Sequence, residues 1–196
     1  MDFEKVLNMR QSTRKFQEKQ ITEEQLEKIL NAANRAPIGS NKYEDIHITV
    51  VQNKEILLKL CEAAWERFSR LQKLEDIAGD TIDKTVPKEK KNNLFYGAPT
   101  VIFVSHKNQD LQPGIEWANA TSVINQMHLE TINLGLASVY MWGALESMRM
   151  IPELDNTSVL NLPNEYEPLI ALAVGYPVKE LEELPIKHEI IKMNKI

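Results

Sequence analysis

The spacing of apolar positions changes period several times along the chain, and each change predicts an element. Phe3, Val6 and Leu7 share one face of a helical turn that Asp2 can cap, and the pattern breaks at Gln11-Ser12-Thr13. Thr22 and Gln25 have capping-box spacing ahead of Leu26, Ile29, Leu30 and Ala33, the stripe of a second helix ended by Pro37 and Gly39. Ile46 to Val51 (IHITVV) is β-branched and alternating, which predicts a strand. Asn53 caps a third helix carrying Ile56, Leu57, Leu60 and Ala64 and reaching about Leu71. Thr100 to Ser105 (TVIFVS) is a continuous apolar run, as in a strand covered on both faces. Trp117 to Leu134 is a long central helix closed by Gly135, a natural left-handed cap. Leu136 to Trp142 (LASVYMW) and Leu169 to Val174 (LIALAV) are two further strands.

Helices open the chain before any strand, so the order favours an α+β sandwich over a strictly alternating doubly wound fold. The 196 residues suffice for one domain with a substantial core. Gln72 to Asn93 interrupts that domain with Lys, Glu, Asp, Gly79 and Pro87 and little apolar content. Such a polar excursion is either an active-site lid or a solvated loop. The tail after Pro177 is charged, with Leu184, Ile186, Ile190 and Ile191 interspersed, and can either wander disordered or lie across a neighbouring subunit.

Charge and cysteine use narrow the function classes. A formal net charge of -5 argues against a general nucleic-acid binder, which carries a basic surface. The single cysteine, Cys61, cannot form an internal disulfide and sits in the apolar pattern of the third helix. No apolar run approaches the roughly 20 residues that span a bilayer, and the first ten residues lack a signal-peptide core. A cytoplasmic protein is the expectation.

The chain contains neither G-x-G-x-x-G nor G-x-x-x-x-G-K-[ST], so a nucleotide-like ligand would have its phosphate held mainly by side chains. Arg10-Gln11-Ser12-Thr13-Arg14-Lys15-Phe16 is the densest candidate for that task. Arg10 and Arg14 offer planar, permanently charged donor forks and Ser12 a hydroxyl, a set suited to a phosphate monoester. Taken alone, such a short basic cluster is more often a solvated turn. His47 and His128 are assigned to packing or surface roles and His106 and His188 to the surface. No histidines or carboxylates have metal-ligand spacing, so no metal is expected.

R-x-S-x-R-x-F after a short first helix resembles the opening motif of the nitroreductase flavoproteins. The resemblance implies that Arg10, Ser12 and Arg14 meet the phosphate and ribityl chain of FMN, with Gln11 where a further basic residue or histidine is common. Ala36-Pro37-Ile38-Gly39-Ser40-Asn41 resembles the family's A-P-S-x-x-N loop, which reaches the flavin of the other subunit. By that likeness Pro37, Ile38, Gly39 and Asn41 are cofactor-binding. Ile38 stands in place of the usual serine, Tyr43 in place of a glutamine, and Glu44-Asp45 in place of Pro-Trp.

Gly97-Ala98-Pro99 resembles the turn into the family's central sheet. Gly135 to Gly143 resembles the strand that ends against the flavin, with the backbone of Trp142 and Gly143 facing the N5 edge. Gly175-Tyr176-Pro177 matches a G-Y-P signature, after which a basic residue completes the phosphate site; Lys187 is the best positional match, ahead of Lys179 and His188. The likeness runs from about Met9 to Lys187. It implies a mostly antiparallel sheet flanked by helices, a C-terminal extension reaching the partner subunit, and a homodimer holding FMN at its interface. The implied activity is hydride transfer from NADH or NADPH to a flat acceptor such as a nitroaromatic or quinone, with no obligatory side-chain acid or base. Specialised flavin chemistry on the same fold, dehalogenase-like or flavin-modifying, and a non-enzymatic FMN-binding dimer are the alternatives.

Overall fold

A computed structural model describes residues 1–62, 94–109, 112–142, 145, 157–185 and 191–195. The sequence-predicted excursion at 72–93 lies outside these residues. Helix α1, Phe3–Met9, begins where the Asp2 carboxylate accepts from the Lys5 N–H at 2.9 Å. Its apolar face is not a core face: Val6 is buried, but Phe3 is 68% and Leu7 48% exposed. Helix α2, Glu23–Ala33, carries the complete capping box. The Thr22 hydroxyl accepts from the Gln25 N–H at 3.2 Å, and the Gln25 side chain accepts from the Thr22 N–H at 2.9 Å. Two N–H groups that the first helical turn leaves without partners are satisfied this way.

Strand β1, Ile46–Val51, is followed by helix α3, described over 54–62, whose first turn is capped by the Asn53 side chain. Strand β2, Thr100–Lys107, leads through helix α4, Ile115–Asn133, to β3, Ala137–Met141, and finally β4, Tyr166–Gly175. The sheet order is β1-β2-β4-β3 and every pair is antiparallel. Strand β4 starts three residues before the apolar run begins, because Tyr166 and Glu167 pair with Lys107 and His106. The ladder shifts register between Val104 and Ser105, and Pro168 stands opposite Ser105. A residue with no N–H therefore sits where the ladder is already interrupted.

Helices cover both faces of this sheet, which explains why β2 and β4 read as unbroken apolar runs rather than alternating ones. Val101, Phe103, Ala171, Ala173, Ala137 and Val139 point to one core, shared with Leu57, Leu60 and Cys61 of α3. Ile102, Val104, Ile170, Leu172 and Val174 point to the other, shared with α2 and α4 through Leu26, Ile29, Val123, Ile124 and Met127. Burial pushes the Cys61 thiol up, away from the thiolate, as suits a small core residue. Among the described residues no helix is long and apolar enough to cross a membrane.

The segment after α1 meets both β3 and the segment after β4. The segment after α1 lies against the sheet through a parallel bridge between Ser12 and Ser138 and an antiparallel one between Phe16 and Pro177. The Thr13 N–H donates to the Ser138 carbonyl at 3.1 Å, and the Gln17 N–H to the Tyr176 carbonyl at 2.9 Å. Farther along, the Leu184 N–H donates to the Asn8 carbonyl at 2.9 Å. As far as residue 185 the tail thus docks on its own chain.

Candidate functional site

The R-x-S-x-R-x-F segment is extended, starting at Arg10 with φ -63 and ψ 114. Arg10, Ser12 and Arg14 are all exposed. Arg10 leans toward α4, where its Nη1 donates to His128 Nε2 at 3.4 Å. Arg14 leans the other way and stacks over the Tyr96 ring, 5.9 Å from its centroid. Among the described residues neither guanidinium is paired with a carboxylate. On a chain of net charge -5, two guanidiniums without a carboxylate partner among the described residues flank an exposed serine hydroxyl, a donor-rich set. Gln11 is less open: its side chain donates to the carbonyls of Glu182 at 3.3 Å and Met9 at 3.5 Å.

His128 is 5% exposed and its ring is held at both nitrogens. An arginine can only donate, so Nε2 carries the lone pair and Nδ1 the proton, which goes to the Ser138 hydroxyl at 2.5 Å. Burial first, and the Arg10 charge second, lower the His128 pKa from 6.5 to about 4. The imidazole is neutral at ordinary pH.

A second buried relay holds the loop after α2. His106, expected at the surface, is 2% exposed. Its Nδ1 donates to the Lys107 carbonyl at 2.7 Å, leaving Nε2 to accept from the Asn119 amide at 3.1 Å. The Asn119 carbonyl oxygen in turn accepts from the Gly39 N–H at 3.0 Å. Each donor meets an acceptor, so the tautomer and the amide orientation follow from the carbonyl at one end and the N–H at the other. The loop it anchors is unusual. Ser40 and Asn41 have φ of 56° and 54°, a left-handed region that non-glycine residues rarely occupy in succession. The Tyr43 hydroxyl closes the loop on the Ala36 carbonyl at 3.0 Å. A Cβ on Gly39 would stand 2.7 Å from Ile115 Cδ1, so this glycine lets the loop press onto α4.

Within that loop Pro37 and Asn41 are exposed, while the Ile38 side chain is 7% exposed and belongs to the α2/α4 core. Only the Ile38 backbone can face a ligand. Trp142 follows β3 and is 52% exposed, so it is not the core aromatic that an isolated Trp in an apolar run suggests. Gly143 and Lys187 lie outside the described residues. Sequence reasoning also passed over Asn119, Ser138 and the site-facing role of His128. The available signal was position: Asn119 and His128 share the buried face of α4 with Ala120, Val123, Ile124 and Met127. A polar side chain on such a face must find a partner.

Three of the quoted motifs converge on Gly175 of Gly175-Tyr176-Pro177. A Cβ there would stand 2.8 Å from the ring of Pro99, in Gly97-Ala98-Pro99, and 3.1 Å from Phe16, the last residue of R-x-S-x-R-x-F. Gly175→Ala is therefore expected to destabilise the fold by about 1–3 kcal/mol through overpacking, read as a lower urea midpoint at unchanged slope. A midpoint equal to wild type would mean that Pro99 and Phe16 can retreat freely. Elsewhere, a recess of about 340 Å³ lined by Asn108, Gln109, Gly114, Glu116, Trp117 and Glu167 shares no residue with the motifs.

Comparison with known proteins places these features in a lineage. Residues 7–176 match the model of the nitroreductase family. A protein of Archaeoglobus fulgidus, provisionally named an NADH dehydrogenase/NAD(P)H nitroreductase, is 27% identical over 179 residues, 90% of this chain and 86% of its own. A nitroreductase of Bacteroides fragilis solved with bound FMN is 25% identical with a TM-score of 0.76, covering 100% of both chains. An FMN-dependent nitroreductase of Clostridium difficile has the same fold, with 24% identity, a TM-score of 0.74, and coverage of 100% of this chain and 99% of its own. The match spans most of the chain, includes the R-x-S-x-R-x-F and A-P-I-G-S-N stretches and ends at Tyr176: the protein belongs to the nitroreductase family.

Proposed function

We propose that the chain is a cytoplasmic, homodimeric FMN oxidoreductase that passes hydride from NADH or NADPH to a flat acceptor such as a nitroaromatic or quinone. The observation that carries the reading is the pair Arg10 and Arg14, without a carboxylate partner among the described residues, around the exposed Ser12. This set fits a phosphate monoester, whose oxygens accept only, and family membership makes FMN the fitting phosphate carrier. When bound, FMN supplies a hydride-accepting N5, so the protein itself need only bind, orient and exclude water.

In this reading Arg10, Ser12 and Arg14 grip the phosphate, with Gln11 alongside and Lys187 as the added cation. The Pro37–Asn41 loop, its Ile38 and Gly39 backbone included, faces the flavin of the partner subunit. Trp142 and Gly143 present backbone at the N5 edge. The exposed apolar residues Phe3 and Leu7 on α1 support pairing of two copies. A C-terminal extension reaching the partner subunit belongs to the same reading.

The direct test is the visible spectrum of purified protein followed by anaerobic addition of NADH or NADPH. A yellow protein that bleaches supports cofactor and donor together; one that neither carries nor takes up FMN overturns the proposal. A loaded protein that bleaches but turns over no nitroaromatic or quinone would direct attention to specialised flavin chemistry. Arg10→Ala is expected to weaken FMN binding by about 1.5–3 kcal/mol, the scale of a charged hydrogen bond, measured by flavin fluorescence titration. Unchanged affinity would remove Arg10 from the clamp.

A further inference from the structure

We propose that His128 is a positioning residue for the phosphate clamp, its Nε2 accepting from Arg10 so that the guanidinium is set beside Ser12. The inference rests on the FMN reading above. Its basis is a closed ring of contacts. Ser12 is bridged to Ser138 on β3, Ser138 holds His128 Nδ1 at 2.5 Å, and His128 Nε2 holds Arg10 at 3.4 Å. Arg10 lies two residues from Ser12, which completes the circuit. Two of the three phosphate donors are thereby referred to one residue of the sheet, Ser12 through backbone and Arg10 through a buried ring.

The chemistry of the acceptor matters as much as its position. A carboxylate in place of His128 would hold the guanidinium more firmly, but it would cancel the charge that attracts phosphate. A neutral imidazole accepts one N–H and leaves the charge whole. Of the five guanidinium N–H groups, one is engaged by His128, and the side chain is otherwise exposed. An arginine with no partner would have to be immobilised from many rotamers when ligand arrives; one already referenced to a fixed ring loses less freedom. A core histidine satisfied merely for the sake of the fold would have no reason to affect phosphate more than the rest of the flavin.

That difference supplies the test. Dissociation constants for FMN and for riboflavin, which lacks the phosphate, are measured on the full chain, and their ratio isolates the phosphate contribution. His128→Met is expected to lower the riboflavin-to-FMN ratio by about fivefold to tenfold, the scale of one hydrogen bond, with riboflavin binding little changed. His128→Gln, whose side-chain oxygen can still accept from Arg10, is expected to restore most of it. Ser138→Ala, which frees the ring with almost no change of volume, lowers the ratio as well and serves if the methionine variant folds poorly. In an Arg10→Ala background His128→Met should have no further effect. A wild-type ratio in both His128→Met and Ser138→Ala, with Arg10→Ala lowering it, overturns the role of His128 and leaves the clamp standing. An equal effect with and without Arg10 also overturns it. A ratio unmoved by Arg10→Ala defeats the clamp and this inference together.

Discussion

Asn119→Leu is expected to destabilise the protein by about 2–5 kcal/mol, because it strips partners from a buried ring and a part-buried N–H at once. The His106 ring would be left with an unanswered lone pair, and the Gly39 N–H with no acceptor. Each loss costs about 1–3 kcal/mol when water cannot reach the group. Leucine has the same branching and number of side-chain heavy atoms and is no smaller, so little of the effect would come from a cavity. The Pro37–Asn41 loop should suffer locally as well, since Ser40 and Asn41 hold left-handed φ angles only while surrounding contacts enforce them. Urea denaturation measures the first effect and limited proteolysis at the loop the second. The double variant His106→Phe/Asn119→Leu should regain part of the loss, because it removes an unsatisfied acceptor along with its donor. A loss under about 1 kcal/mol for Asn119→Leu would show that the relay is not a stabilising unit.

The second large effect is a loss of stability in acid. Unfolded, His128 titrates near 6.5; folded, it titrates near 4 because burial and Arg10 oppose a second positive charge. Between those values the unfolded chain binds a proton that the folded chain refuses. Unfolding free energy therefore holds above pH 6.5, falls as pH drops through the window, and stops falling on this account below about 4. The window corresponds to about 3 kcal/mol. Carboxylates such as Glu116, whose pKa is lowered, add their own slope at the acid end, so the informative quantity is the difference between wild type and His128→Met. The variant should lack roughly that share of the pH 7 to pH 4 decline. Parallel curves for the two proteins would remove His128 from the acid response.

Much of the fold is legible in the sequence because the signals are local. The Thr22/Gln25 box needs only three residues' spacing, and the apolar runs of β2 and β4 declare strands covered on both sides. What escapes local pattern is pairing across the chain. The early start of β4 depends on partners some sixty residues away, as Asn108 and Glu167 show with a separation of 59. The exposure of Phe3 and Leu7 depends on what packs against α1, which periodicity does not report. At the candidate site, the motifs identify Arg10, Ser12 and Arg14 by order along the chain. The relays behind them could be suspected from Asn119 and His128 on an apolar helix face, but their partners, Gly39, His106, Arg10 and Ser138, depend on which strand and loop α4 covers. Gly175 shows the reverse: a family signature whose glycine is explained by packing against two other motifs.

The docking of the tail on the first helix has a consequence for how the protein is made. Asn8 and Glu183 are 175 residues apart, and Gln11 and Glu182 are 171 apart. A ribosome adding about 5–20 residues per second separates the emergence of such partners by roughly 9 to 35 s. The arginine-bearing segment thus emerges well before the tail on which it docks. Until β3 and the tail arrive, it must wait as an open basic strand on the nascent chain.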